Sequence, residues 1–218
     1  NISIDLIYSQ PSQSLADWEK ELNEAFSLPI KHLSAYALSY EEGTALWRLR
    51  EQGVVHEADD DLSLQMYRLL QVKAEAAGFE QYEISNFAQA NQRSRHNSAY
   101  WQGVPYIGCG PGAHSYDGVA IRRHNKDDMT LFLDGCNYYE EEFLSNSELY
   151  SARFFTHLRT LEGLPLSSIP ATYQTYFRKQ VQPYLDAGRL IEKAGVVSLS
   201  KDAFFTSDAI ISDLMWVD

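Results

Sequence analysis

The sequence predicts an α/β protein in which a parallel sheet with crossover helices is followed by a mostly helical, winged-helix-like C-terminal part. Two patterns lead to this prediction. A strand–helix–strand succession occupies residues 2–40, and such a succession is typical of parallel sheets. From residue 147 onward the order becomes helix, helix, hairpin, helix. Hydrophobic residues make up 44% of the 218 positions, which is ordinary for a globular protein.

The first two predicted strands are short and apolar. Residues 2–8 (ISIDLIY) are rich in β-branched side chains and are followed by turn-forming residues, which indicates a buried strand. Ser14 can cap the next helix, with Asp17 completing a capping box. Residues 32–40 predict the second strand. Since a helix joins the two strands, we expect them to pair in parallel.

Two helices and a third strand are expected next. A short helix is predicted at residues 45–52, and a longer one at residues 62–77, which follows three acids and ends at Gly78. Residues 82–87 predict the third strand. Residues 88–125 follow neither the helix period nor the strand period, and they are dense in glycine, histidine and aromatic residues. Long irregular segments of this kind are usually functional.

The rest of the chain predicts four helices and one hairpin. The helices are expected at residues 126–135, 147–162, 171–187 and 207–217, and the hairpin at residues 190–200 around Ala194 and Gly195. We place a domain boundary between residues 1–125 and residues 126–218.

Composition excludes several classes of partner. The net charge of −12 and the pI of about 4.9 disfavour binding to nucleic acid and to anionic membrane faces. No apolar run approaches the roughly 18 residues that a spanning helix needs, so no stable membrane insertion is expected. Cys109 and Cys136 lie far apart and predict no disulfide framework, so a cytoplasmic location is expected.

The irregular segment holds the residues best suited to binding. They are Arg95, His96, Asn97, Tyr100 and Trp101, followed by Gly108, Gly110, Gly112 and His114. Histidines and aromatic rings could hold a flat, partly anionic ring system, and imidazole ligates iron readily. Alternatively, these polar residues tie an irregular loop to the rest of the fold. His32 and His56 are expected at the surface.

Three segments resemble a known family. YEISNFA at residues 82–88, SRHNSAYW at residues 94–101 and GCGPGAHSY at residues 108–116 are similar to the HemN/HemW family of radical-SAM proteins, and to its HemW-like subgroup. The resemblance implies that residues 1–125 are the C-terminal part of a partial (β/α) radical-SAM barrel, and that a HemN-type helical domain follows. We therefore expect the chain to be a portion of a longer protein.

The resemblance implies a heme site in the irregular segment. In HemW-like proteins a His-Asn-x-x-Tyr-Trp motif has been proposed to bind heme, and it is intact in this sequence. His96 is then the candidate axial ligand of the heme iron, and Asn97 would orient a neighbour or the ligand's edge. Tyr100 and Trp101 would offer ring faces and an N–H. His114 would be a second heme contact or a donor that anchors the loop. The alternative is a structural role for all of them.

Two adjacent arginines also stand out in this acidic chain. Arg122 and Arg123 could contact porphyrin propionates, because arginine pairs well with carboxylates. The alternative is that they form salt bridges with nearby acidic residues.

The N-terminal strand matches the family as well. The resemblance implies that the Asp5 carboxylate approaches the ribose of S-adenosylmethionine (SAM), with Ile7 and Tyr36 against its adenine. The alternative makes Asp5 a polar residue at a strand end. Residues 9–12 (SQPS) stand where the family usually has Gly-Leu-Pro-Gly. Serine takes a positive φ less readily than glycine, so the turn can differ.

Radical-SAM chemistry needs three cysteine thiolates to hold a [4Fe–4S] cluster, and this sequence has no such triad. In the family the triad precedes the strand at which this sequence starts. The resemblance therefore implies that the full-length protein holds the cluster and SAM, while the chain alone is expected to be inactive. No catalytic residue is assigned.

The function that the resemblance implies is that of a heme-binding, chaperone-type protein of porphyrin metabolism. Its expected partners are heme or porphyrin and a heme-acceptor protein, and unpaired sheet edges make a dimer an option. The alternative function is that of an oxygen-independent coproporphyrinogen III oxidase, which decarboxylates by a radical route to protoporphyrinogen IX. A third alternative is an interaction module that binds neither ligand.

Overall fold

A computed structural model describes residues 1–135 and 138–216 of the chain. Cys136 and the end of the helix predicted at residues 207–217 lie outside the described residues. The chain divides into two compact units, Asn1–Ser94 and Arg95–Asp218. No helix within the described residues is both long and apolar enough to cross a membrane.

The first unit begins with the predicted strand, helix and strand. These are β1 (Ser3–Tyr8), α1 (Leu15–Ser27) and β2 (His32–Ala37). The strands pair in parallel, from Ser3 opposite His32 to Tyr8 opposite Ala37. The capping box is also confirmed, because Ser14 and Asp17 exchange side-chain and backbone hydrogen bonds at the start of α1. Since the box satisfies orphan amide groups, it fixes where α1 begins.

Two further helices follow α1 in the chain. They are α2 (Ala45–Glu51) and α3 (Asp60–Ala76). Helices α1 and α3 pack together through Trp18, Leu22, Met66 and Leu70, which are fully buried. The indole N–H of Trp18 donates to the carbonyl of Met66 at 2.9 Å. The helix pair therefore holds β1 and β2 on a continuous apolar layer.

The third strand differs from its prediction. The structure has a hairpin of β3 (Glu80–Gln81) and β4 (Asn86–Ala88), and β4 lies antiparallel to β2, giving the order β1-β2-β4-β3. The single strand predicted at residues 82–87 is wrong. The physical reason is the side chain of Glu83, which accepts hydrogen bonds from the Ser85 amide and the Asn86 side chain and so turns the chain back.

The second unit opens with elements inside the segment that showed no period. They are α4 (Arg95–Trp101), β5 (His114–Tyr116) and β6 (Ile121–Asn125), followed by α5 (Met129–Asp134) and β7 (Tyr139–Phe143). Strands β5, β6 and β7 form an antiparallel sheet in that order. The predicted boundary after residue 125 falls between β6 and α5, although β6 pairs with β7 beyond it. As a division between functional regions it stays a prediction.

The predicted order of helix, helix, hairpin and helix is confirmed at the C-terminal end. The elements are α6 (Asn146–His157), β8 (Leu164–Pro165), α7 (Gln174–Asp186), β9 (Leu190–Lys193), β10 (Val196–Leu199) and α8 (Ser207–Leu214). The hairpin β9–β10 is joined by β8 in one sheet. The core of these C-terminal elements includes the buried side chains of Phe154, Leu158, Phe177 and Phe204.

Candidate functional site

One candidate site lies on a shared face of the two parallel strands, from their middle to their carboxyl ends. Ile7 is the direct neighbour of Tyr36, and Asp5 is the neighbour of Ser34, so these side chains share one face of the sheet. Ile7 is 46% exposed and Tyr36 is 43% exposed, and Asp5 is exposed too. A carboxylate beside two apolar surfaces fits a nucleoside, which needs an acceptor for its hydroxyls and a face for its base. The SAM role of the three residues stays a prediction.

The same sheet face continues into a buried polar cluster. His32 is only 5% exposed, so its expected surface position is wrong. Its Nδ1 lies 2.8 Å from the Ser3 hydroxyl and its Nε2 lies 2.8 Å from the Tyr82 hydroxyl. Burial lowers the pKa of His32 below its ordinary value, and the negative charge of Asp5 acts in the opposite direction. The imidazole is thus a buried hydrogen-bonding link between β1, β2 and the hairpin.

The turn after β1 has the backbone that glycine favours, although serine occupies it. Ser9 has a φ of 61° and Ser12 has a φ of 63°, both in the left-handed region. Ser9 is buried and its hydroxyl donates to the hydroxyl of Ser63 at 2.9 Å. Ser9 and Ser12 therefore adopt a positive φ despite its energetic cost. The hydrogen bond to Ser63 helps to hold Ser9 in this conformation.

A second candidate site begins on α4. His96 and Tyr100 are four positions apart, so they share a helix face, and their ring centroids are 4.9 Å apart in an edge-on arrangement. Tyr100 meets Tyr106 at 4.7 Å, and Tyr106 meets Tyr116 at 6.3 Å. We call these four residues the ring row. His96 is exposed and Tyr100 is 40% exposed, so this end of the row is open to a ligand.

The sequence analysis did not predict Tyr106 and Tyr116 as site residues. They are hydrogen-bonded backbone partners, with both N–H to carbonyl distances at 2.9 Å, and the glycine-rich loop lies between them. Their signal was present as two tyrosines that flank a loop of alternating glycines. Such a loop brings its own ends together, so its flanking aromatic residues become neighbours.

Trp101 does not belong to the ring row. It follows His96 by five positions, which turns its side chain by about 140° around the helix axis. Its ring instead lies beneath the Arg159 guanidinium, whose central carbon is 5.7 Å from the ring centroid, and α4 packs against α6. The indole N–H is buried and has no acceptor among the described residues. Asn97 is half-buried on the same helix.

The glycine-rich loop is held in place by hydrogen bonds between its backbone and the side chains of Asn125 and Ser115. The buried Asn125 side chain donates to the carbonyl of Gly110 at 2.9 Å and to that of Gly108 at 3.4 Å. The Gly108 amide donates to the Ser115 hydroxyl at 2.9 Å. A Cβ atom on Gly108 would overlap the backbone of His114. The close approach that the glycines allow is therefore between the loop and β5.

His114 forms a stacked pair with His124. The two residues face each other across β5 and β6, with ring centroids 4.5 Å apart and ring planes within 17°. Both are exposed. His114 projects from the same face of β5 as Tyr116, two positions away, and it is not part of the ring row. No group of three or more potential metal-ligating side chains occurs within the described part of the chain.

The two arginines of β6 point to opposite faces of their sheet. Arg123 pairs with Glu141 at 2.7 Å and covers the ring of Tyr139 at 4.0 Å. The predicted salt bridge to a nearby acid is confirmed for this arginine. Arg122 lies on the other face, between its cross-strand neighbours Tyr116 and Glu142.

Several known proteins are similar to this chain. The chain is 36% identical over 169 residues to the heme chaperone HemW of Bacillus subtilis, covering 75% of the chain and 44% of that protein. It is 32% identical over 219 residues to the heme chaperone HemW of Mycobacterium tuberculosis, covering 99% of the chain and 55% of that protein. A mitochondrial radical S-adenosyl methionine domain-containing protein 1 from Danio rerio is 42% identical over 113 residues, or 52% of the chain and 26% of that protein. No family model matches.

A solved structure defines the class of fold. Coproporphyrinogen III oxidase HemN from Escherichia coli, described as a radical SAM enzyme, superposes with a TM-score of 0.74 over 98% of the chain and 54% of its own length, at 15% identity. The described elements therefore match part of the radical-SAM fold of that structure. These likenesses support the HemN/HemW radical-SAM family for this chain and, within it, the HemW-like subgroup. It spans about half the length of the curated HemW relatives that it matches.

Proposed function

We propose that this chain binds heme as part of a HemW-like heme chaperone, and that the ring row is its binding face. The observation that carries the proposal is the exposed imidazole of His96, held edge-on against Tyr100 at 4.9 Å. Heme, when bound, supplies an iron that accepts an imidazole nitrogen and a broad apolar ring. His96 is the only histidine of the row, and the tyrosines offer ring faces and edges. The similarity to HemW proteins supports this reading.

The remaining motif residues have supporting roles in the proposal. The Arg159 guanidinium lies 5.7 Å from the Trp101 ring centroid and helps to hold α4 against α6, and an ion pair of 2.7 Å with Asp208 holds the arginine in turn. These contacts fix the position of the helix and so the direction of the His96 ring. His114 lies on β5, two positions from Tyr116 and on the same face of the sheet. It would contact the periphery of the ligand.

The full-length protein would also hold SAM and a [4Fe–4S] cluster. Asp5 would accept hydrogen bonds from the ribose hydroxyls, and Ile7 and Tyr36 would flank the adenine. The face that they share on β1 and β2 supports this assignment. The cluster ligands would be cysteines of the longer protein that lie outside these 218 residues.

The proposed partner of the loaded protein is a heme-acceptor protein, in a reducing cytoplasm. Cys109 is an exposed free thiol, which suits a reducing compartment. The net charge of −12 favours a protein acceptor over nucleic acid or an anionic bilayer.

A hemin titration followed by visible absorption tests the proposal. We expect the unsubstituted chain to give a saturable Soret shift. The His96→Ala variant should lose this shift, or show it only at hemin concentrations about tenfold higher or more, because the iron loses its nitrogen ligand. His56→Ala is the matched control, since His56 is also an exposed histidine but lies in the first unit. Its titration should match that of the unsubstituted chain.

Equal binding by the unsubstituted chain and His96→Ala would contradict the proposal by removing His96 as ligand. The next test would then be coproporphyrinogen turnover by the full-length, cluster-loaded protein, which the oxidase alternative requires.

A further inference from the structure

Arg122 differs from its neighbour Arg123 in forming no salt bridge within 4 Å among the described residues. Arg123 is held by Glu141 and Tyr139 on one face of β6. Arg122 is exposed on the other face and forms no ion pair with any residue in the described part of the chain, although Glu142 is its cross-strand neighbour. An unpaired guanidinium is a ready donor for a planar, bidentate acceptor such as a carboxylate.

Arg122 also continues the ring row. Tyr106, Tyr116 and Arg122 are successive cross-strand neighbours, so their side chains project from the same face of the sheet. Burial raises the pKa of Tyr106, and the positive charge of Arg122 acts in the opposite direction, which places the guanidinium within electrostatic reach of that hydroxyl. The surface thus runs from an imidazole, across three tyrosines, to a cation.

We propose that Arg122 binds a carboxylate of the ligand that lies on the ring row, and that the site is selective for planar tetrapyrroles with free carboxylates. The inference rests on the proposed function and deepens it. A chain with a net charge of −12 repels an anionic ligand, so a local cation is needed where the carboxylate arrives. Glu142 and Glu148 lie near Arg122 and also repel a ligand carboxylate, so the net attraction at Arg122 is modest.

Two neighbouring substitutions and three ligands test this inference. The variants are Arg122→Gln and its matched control Arg123→Gln, which removes the same charge from the opposite face of the same strand. The ligands are hemin, hemin dimethyl ester, which lacks ionisable carboxylates, and metal-free protoporphyrin IX, which lacks iron. Binding is measured by absorption or by porphyrin fluorescence, and circular dichroism checks that each variant is folded.

We expect Arg122→Gln to weaken hemin and metal-free protoporphyrin IX by about fivefold, a modest factor because the pair is partly exposed to solvent. Binding of the dimethyl ester should not change, and Arg123→Gln should match the unsubstituted chain with all three ligands. His96→Ala should show the converse pattern, weakening hemin and its ester but not the metal-free porphyrin.

The binding patterns of Arg122→Gln and His96→Ala distinguish a failure of the carboxylate role of Arg122 from a failure of the proposed heme function. If Arg122→Gln binds hemin as tightly as the unsubstituted chain, or weakens the ester equally, the carboxylate role is overturned while the heme function stands. If His96→Ala leaves hemin binding intact but Arg122→Gln weakens it, the carboxylate role stands without the axial ligand. If the unsubstituted chain binds no porphyrin saturably, both are overturned.

Discussion

At the scale of a single residue, the buried His32 leads us to expect that the stability of the first unit depends on pH. Its ring is linked to the hydroxyls of Ser3 and Tyr82 and lies away from water, and burial lowers its pKa below the ordinary value of 6.5. The folded state therefore takes up a proton less readily than the unfolded state does. The contribution of His32 to stability is present above the unfolded pKa and is lost as the pH falls through the folded pKa.

We predict that the free energy of unfolding of the first unit decreases as the pH is lowered from about 7.5 to about 5.5, and that His32→Gln flattens this dependence. Urea unfolding at several pH values measures it. The pKa of His157 in the second unit is also lowered by burial, so a signal specific to the first unit is needed. An unchanged slope in the variant would show that other groups carry the pH dependence.

The burial of His32 could not be predicted from the sequence. The residue opens a strand, where a polar side chain commonly reaches solvent, and its partners are 29 and 50 positions away. Hydrogen bonds over such separations are set by tertiary packing. In contrast, the capping box of Ser14 and Asp17 could be predicted, because its two partners are three positions apart.

At the scale of elements, the turn between β1 and α1 holds its serines in a conformation that costs them energy. Ser12 is exposed and has a φ of 63°. We predict that Ser12→Gly stabilises the chain by about 1 kcal/mol, because glycine carries no steric penalty there. Urea unfolding measures the change.

Ser39→Gly is the matched control for this turn, since Ser39 is exposed in the same unit and is not among the residues with positive φ. It should be neutral or destabilising, because glycine adds conformational entropy to the unfolded chain. Destabilisation by Ser12→Gly would contradict the left-handed assignment.

Elements with a clear period could be predicted, and elements without one could not. Helix α3 and the hairpin of β9 and β10 follow from apolar spacing and turn residues. Strand β7 was missed because Tyr139–Phe143 is exposed on both faces and contains three consecutive glutamates. These charges suit an edge strand, since they discourage pairing with another chain. The hairpin of β3 and β4 was missed because the side chain of Glu83 sets its turn.

At the scale of the whole molecule, three short motifs were enough to predict the family, and they also marked the candidate heme site. They could not predict how the site is arranged. The motif places His96 and Trp101 five positions apart, and only the helical phase of α4 shows that they point in different directions. Helix α4 has only seven residues, or about two turns, so no helical period marked it in the sequence. The glycine-rich loop between Tyr106 and Tyr116 indicates that these two residues are neighbours, but their ring contacts with Tyr100 and His96 are tertiary and could not be predicted.

The central claim is that His96 ligates heme iron in this chain. The most direct measurement is low-temperature electron paramagnetic resonance of the ferric hemin complex, comparing the unsubstituted chain, His96→Ala and His96→Ala with added imidazole. We predict a nitrogen-ligated spectrum for the unsubstituted chain, its loss in the variant and its return with imidazole. An identical spectrum from His96→Ala without imidazole would contradict the claim, because another residue would then ligate the iron.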